Sequence, residues 1–141
     1  MILSAKLAAN NFRELKRIAE NFYFREWRGH EKPAPAFDGE TVRVTRKGWT
    51  YLTGKSATGD VMRRLALLPI AREIIETTKQ ITDVRSEKKL HRYQSKTLTV
   101  ETYFWSLIGK ASEGIVKVIV EEMYNDGQPQ GKHFLSVFPV G

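Results

Sequence analysis

The groups in this chain that could move protons or hold charge are three histidines, a large set of lysines and arginines, and scattered serines and tyrosines. The absence of cysteine removes thiol nucleophiles, disulfides and Cys-bearing zinc sites. His30, His91 and His133 lie too far apart for the close spacing of zinc ligands, and Glu121 and Glu122 point to opposite faces if they sit on a strand. Neither a metal nor another cofactor is expected. Gly48, Gly54 and Gly59 match no phosphate-cradling fingerprint, and no serine sits in a nucleophile elbow. What is left is acid–base chemistry by His, Lys, Arg, Tyr and Ser on a basic surface. Metal-free RNA cleavage needs no more: a base for the 2′-hydroxyl, cations for the phosphate, and an acid for the leaving oxygen.

Two basic clusters stand out. Arg43, Arg46, Lys47 and Lys55 have no acid among them between Glu40 and Asp60. Arg85, Lys88, Lys89, Arg92 and Lys96 are opposed only by Glu87. His91 and Tyr93 fall inside the second cluster at i, i+2 and share a face if this segment is a strand. Imidazole exchanges protons near neutrality, so His91 is either the acid–base group or a contact for phosphate. Lys117 interrupts the apolar run of Ile115, Val116, Val118 and Ile119, and it either snorkels at a sheet rim or faces a ligand. Ser136, within FLSVF, is either bonded to backbone or presented in the same way. His133 is a weaker second histidine. Symmetric pairing about 109–114 would set Ser106 opposite Lys117.

The elements that must position these groups begin with an amphipathic helix over 3–28, in which Ala8, Phe12, Leu15, Ala19 and Phe22 recur at helical spacing. Its last turns carry Phe22, Tyr23, Phe24 and Trp27, read as packing before base stacking. A stiff Pro-containing linker, 30–36, is the one boundary: residues 1–36 form a helix-and-linker unit and 37–141 the core, within one compact domain. Alternation over 41–46 predicts a strand, interrupted at Lys47-Gly48 and followed by WTYLTG. Two short helices follow at 58–67 and 69–79, the first capped by Thr58 and the second opened by Pro69. Leu98–Ile108, Ile115–Met123 and Lys132–Pro139 then read as a three-stranded antiparallel meander. The fold class is therefore α+β, with helices packed on a C-terminal antiparallel sheet.

The chain of 141 residues carries 23 Lys+Arg against 16 Asp+Glu, a net charge of +7, which points to a polyanionic partner. Apolar runs are too short for a membrane span, and the opening residues lack a secretory pattern, so no membrane association and a cytoplasmic location are expected. Delivery into target cells as a toxin domain is a further route.

The order of VTRKGWTYL (44–52), RRLALLPIAREIIETT (63–78), HRYQSK (91–96) and KHFLSVFP (132–139) resembles the barnase–EndoU–colicin–RelE-like superfamily of small metal-independent ribonucleases, in its phage- and toxin-associated branch. The likeness spans residues 41–139 and leaves the first helix outside. It implies that the end of the first strand, Arg63 and Arg64, the His91–Tyr93 segment and Ser136 line an RNA site. The family commonly has a histidine two residues after the Gly-Trp dipeptide; here Tyr51 stands there, and tyrosine is a poor base at neutral pH. The resemblance implies an endoribonuclease toxin acting on tRNA or mRNA by attack of the 2′-hydroxyl on the adjacent phosphate, restrained by an acidic antitoxin or immunity protein. His91, Tyr51, Arg64, Tyr93 and Ser136 are then the catalytic candidates. Arg43, Arg46, Lys47, Arg63, Lys89, Arg92, Lys96 and Lys117 are the RNA contacts. A non-catalytic nucleic-acid-binding module or a protein-interaction domain on the same surface are the alternatives.

Overall fold

Asn11 sets the start of the first helix. Its side chain accepts from the Glu14 backbone N–H at 2.9 Å, the bond an N-cap makes with the otherwise unpaired donors of a first turn. The computed structural model describes residues 5–54, 57–112 and 114–140, with the Tyr93 side chain outside the description; Lys55 and Ser56 of the expected basic cluster and loop also lie outside. Helix α1 covers Phe12–Asn21, and Phe22–Trp27 continue it as a wider π-helix. The expected helix over 3–28 is thus shortened at its front, because the cap is at Asn11.

Widening the turn aims Tyr23 and Trp27 inward, and both are buried. The Tyr23 hydroxyl donates to the Thr45 carbonyl at 2.5 Å, and burial pushes the phenol well above its ordinary range. The 30–36 segment is not simply extended. Pro33 bridges to Thr41, Pro35–Phe37 form a 3-10 turn, and Ala34 is buried.

Thr41 to Thr45 shows the predicted alternation, with Val42 and Val44 buried, but it forms no full strand. It runs beside the free edge of the last strand through an Arg43–His133 parallel bridge. The next segment corrects the expectation of a strand and turn: Arg46–Thr53 is helix α2. Thr45 caps it by accepting from the Gly48 N–H, and Trp49 and Leu52 are its buried side. Tertiary packing here overrides the β preference of Trp49, Thr50 and Tyr51. Helices α3 (Thr58–Ala66) and α4 (Leu68–Thr77) follow close to their expected places. Ala57 rather than Thr58 is the cap of α3, and no side chain bonds there.

Four antiparallel strands, β1 (Asp83–Tyr93), β2 (Lys96–Ala111), β3 (Gly114–Asn125) and β4 (Gln128–Val140), form one sheet in sequential order. The meander therefore has one strand more than expected. Its members are also longer, because Ala111 pairs directly with Gly114. The fold is α+β, with the helices preceding the strands. One sheet face carries Leu107, Val118 and Val137 in a row and is covered by the helices, with Tyr23, Trp27, Leu52, Leu65 and Ile74 in the same core. Among the described residues, no helix is long and apolar enough to cross a membrane.

Candidate nucleic-acid interface

The opposite sheet face carries the candidate site. Cross-strand pairing aligns Ser106, Ile119 and Ser136 in one row, and Ile108, Lys117 and Phe138 in the next. Ser106 is therefore not opposite Lys117, as symmetric pairing about 109–114 would have it. The Ala111–Gly114 pair shifts the register by two residues, which keeps both on one face. A register shift between Ile119 and Val120 leaves Leu135 as the additional residue on β4.

Helix α2 walls this face on one side. Lys47, Thr50, Tyr51 and Gly54 follow at i, i+3, i+4 and i+7, so they form one stripe that looks onto the sheet. Between stripe and sheet lies an open cleft of about 1150 Å³. Arg46, Lys47, Arg64, Arg85 and Lys117 supply cations around it, Tyr51 and Ser136 supply hydroxyls, and Phe104 and Phe138 supply ring surface. Glu87 is the carboxylate among these lining residues.

Each group has a distinct degree of freedom. Tyr51 is 59% exposed, so its phenol is open to a ligand. Ser136 is buried, and Lys117 is half-buried with no ion-pair partner among the described residues. Arg64 donates from Nε and Nη2 to the Leu52 carbonyl at 3.2 and 3.1 Å. There it satisfies the carboxyl end of α2, and only the rest of its guanidinium is available to the cleft. Lys47 reaches down to buried Glu121, Nζ to Oε1 2.6 Å. His133 Nε2 stands 2.8 Å from the same oxygen but at an angle outside good hydrogen-bond geometry. Burial pushes the Glu121 carboxyl up, but His133 and Lys47 outweigh it and hold the group below the ordinary carboxylate value.

Several predicted residues lie elsewhere. Arg63 neighbours Arg64 in sequence but faces away; it pairs with Asp60 and lines a different, smaller hollow. Arg43 donates to the Gln130 carbonyl at 3.2 Å, beside Gly131. His91, Arg92 and Lys96 sit on the projecting part of the β1–β2 hairpin, where Lys96–Thr99 have no β3 partner, and Lys89 stands at its base opposite Val100. At about 3.3 Å per residue, His91 is about 13 Å along β1 from Glu87, the lining residue of that strand nearest to it. The structure thus brings Arg46, Lys47, Tyr51, Arg64, Lys117 and Ser136 together and leaves His91 apart. Tyr93 follows His91 on the strand, and its side chain lies outside the description. Phe104 and Phe138 have no mark in the sequence, Glu87 stands out there only as the acid opposing a basic cluster, and Glu121 only as a discarded metal ligand. Glu87 and Arg85 at i, i+2 on a strand were the available signal.

Comparison with protein-family models, with curated proteins and with solved structures finds no match to this chain.

Any function must therefore be read from the cleft itself. It can grip a phosphodiester through several cations, place bases against Phe104 or Phe138, and offer Tyr51, Glu87 and Lys117 for proton transfer or charge stabilisation.

Proposed function

We propose that this chain is an endoribonuclease that binds RNA in the α2–sheet cleft and cuts it with side chains alone. The observation that carries this is the convergence of Arg46, Lys47, Tyr51, Arg64, Lys117 and Ser136, widely separated in sequence, on one face. The reading agrees with the resemblance to the barnase–EndoU–colicin–RelE-like ribonucleases, for which a helix-before-meander order is also expected. With His91 displaced, Glu87 is the group to accept the 2′-hydroxyl proton. The freed oxygen attacks the adjacent phosphorus while Lys117, Arg46 and Arg85 stabilise the growing charge. The P–O5′ bond then breaks, and the Tyr51 phenol returns a proton to the departing oxygen. The products are a 2′,3′-cyclic phosphate and a 5′-hydroxyl.

A toxin acting on tRNA or mRNA in the cytoplasm, masked by an acidic antitoxin or immunity protein, fits a cleft of this charge. Purified protein incubated with total tRNA and with mRNA in EDTA is the direct trial, with cyclic-phosphate ends as the signature. A folded sample that leaves both RNAs intact overturns the reading. The second reading, RNA binding without cutting, is favoured by the lack of a histidine among the described residues that line the cleft. It predicts salt-sensitive retention of RNA and no scission.

A further inference from the structure

We propose that the outer side of α1 and its π-helical continuation is a second nucleic-acid subsite, which receives the single-stranded RNA that leaves the cleft across Arg46. The inference rests on the RNA reading of the cleft and extends it to a surface outside the resemblance. A hollow of about 990 Å³ lies there, lined among others by Arg13, Lys16, Arg17, Phe22, Phe24 and Arg25. Arg46 lines both this hollow and the cleft, so the two are joined at one guanidinium.

Charge on this surface is weighted to one sign, with Arg13, Lys16, Arg17, Arg25 and Arg46 set against Glu20 and Glu26. Solvated helix faces set opposite charges at i, i+3 and i, i+4, where they stabilise the helix. Here Arg13 is followed by Lys16 and Arg17 at those spacings, a like-charge arrangement that weakens the helix, and Glu20 follows at i+4 from Lys16 and i+3 from Arg17. Glu20 and Glu26 also line the hollow, yet among the described residues no ion pair joins either to Arg13, Lys16, Arg17 or Arg25. These cations are left for a ligand.

Aromatic surface is supplied by the π-helix. π-Helical turns are rare and recur at functional sites. This one sends Tyr23 and Trp27 into the core and leaves Phe22 and Phe24 half-buried at the hollow. The Phe24 ring lies under two guanidinium groups, Arg28 at 5.8 Å and Arg46 at 5.4 Å from its centroid. Cations along a groove with rings between them suit unpaired bases, whose faces stack while the phosphates are neutralised. A duplex keeps its base faces inside the stack and cannot use those rings.

The test compares fluorescent 2′-O-methyl oligouridylates, which cannot be cut, of 4 and 12 nucleotides by anisotropy. The proteins are the wild type, an Arg13→Gln/Arg17→Gln double variant at two exposed positions, and Lys117→Gln in the cleft, each checked by melting. The double variant should bind the 12-mer about tenfold more weakly and lower its salt slope by about 1.4, the loss of two single-strand phosphate contacts. Its affinity for the 4-mer should not change. Lys117→Gln should weaken both oligomers. A double variant that keeps wild-type affinity for the 12-mer while Lys117→Gln loses it overturns the subsite and leaves the cleft reading standing. A wild type that holds neither oligomer overturns both.

Discussion

Lys117 has Ile108 and Phe138 as its cross-strand neighbours and no anionic partner among the described residues. An uncompensated ammonium on a half-buried sheet face gains no local ion pair, and under the RNA reading its partner is the phosphate. Lys117→Met should leave stability within about 0.5 kcal/mol, as for substitutions away from special contacts. Cleavage should fall about 100-fold if the ammonium stabilises the transition-state phosphate. Thermal melting and single-turnover cleavage check the two halves separately. Glu121 is the contrasting case, since it holds Lys47 and His133 together. Glu121→Gln should cost about 2 kcal/mol, the scale of hydrogen bonds to a charged group. Its folded carboxyl lies below the ordinary value of 4.5, so its stabilisation is present above that pH. The contribution is lost as pH falls through the lower folded value. Melting curves at pH 7, 5, 4 and 3 should therefore show the wild-type advantage over Glu121→Gln shrinking in acid. Lys117 was legible because one cation interrupts an apolar run. Glu121 was not, because only the fold brings Lys47 and His133 to it. His91 falls outside the cleft lining for a related reason: its cationic neighbours mark a basic surface, and nothing local says how far along the strand the cleft ends.

Helix α2 is the element on which the cleft depends, and it is held at one tight contact. A Cβ on Gly48 would sit 2.5 Å from the Phe134 carbonyl oxygen and 2.6 Å from the Tyr23 hydroxyl. Neither neighbour yields easily, one being β4 backbone and the other a buried phenol bonded to Thr45. Gly48→Ala should therefore destabilise by about 1–3 kcal/mol despite alanine's better helix propensity. It should also lower RNA affinity by lifting the Lys47–Tyr51 stripe from the sheet; chemical denaturation and RNA titration together test this. The helix was hard to read because Val42 and Val44 establish a two-residue period that Trp49 and Tyr51 by type continue. The decisive signals, the Thr45 cap and the close approach at Gly48, are a single hydroxyl and a missing Cβ. The pair α3 and α4 was easier, since Pro69 falls at the start of a helix and apolar residues repeat on one side. Strand β1 escaped recognition as a full member of the sheet because its described side chains are exposed on both faces, which erases the alternation that marks a half-buried strand.

At the scale of the whole molecule, α1 and its π-helical continuation are part of the one core, through Leu15, Ala19, Tyr23 and Trp27. Their aromatic side chains are not an appendage: Tyr23 packs against Trp49 and Phe134, with ring centroids 5.3 and 6.3 Å away. Trp27 meets Phe134 at 5.0 Å. Phe134 belongs to β4, so the π-helix fills the space between the sheet and the α2 wall of the cleft. Emptying one large aromatic site costs about 3–5 kcal/mol. Losing both, together with Leu15 and Ala19, approaches the whole margin of about 5–15 kcal/mol that a domain possesses. Removal of residues 1–28 should therefore abolish cooperative melting, with RNA cleavage lost alongside it. Trp27→Ala in the full chain should show a graded version: a lower melting temperature but residual activity in the cold, because the cleft residues are untouched. A truncated chain that melts cooperatively near the wild-type temperature would make the first helix an arm that packs on a self-sufficient core. Phe134 and Trp49 would then have to find other cover, and intrinsic fluorescence of Trp49 and Trp105 in that variant would report whether they had.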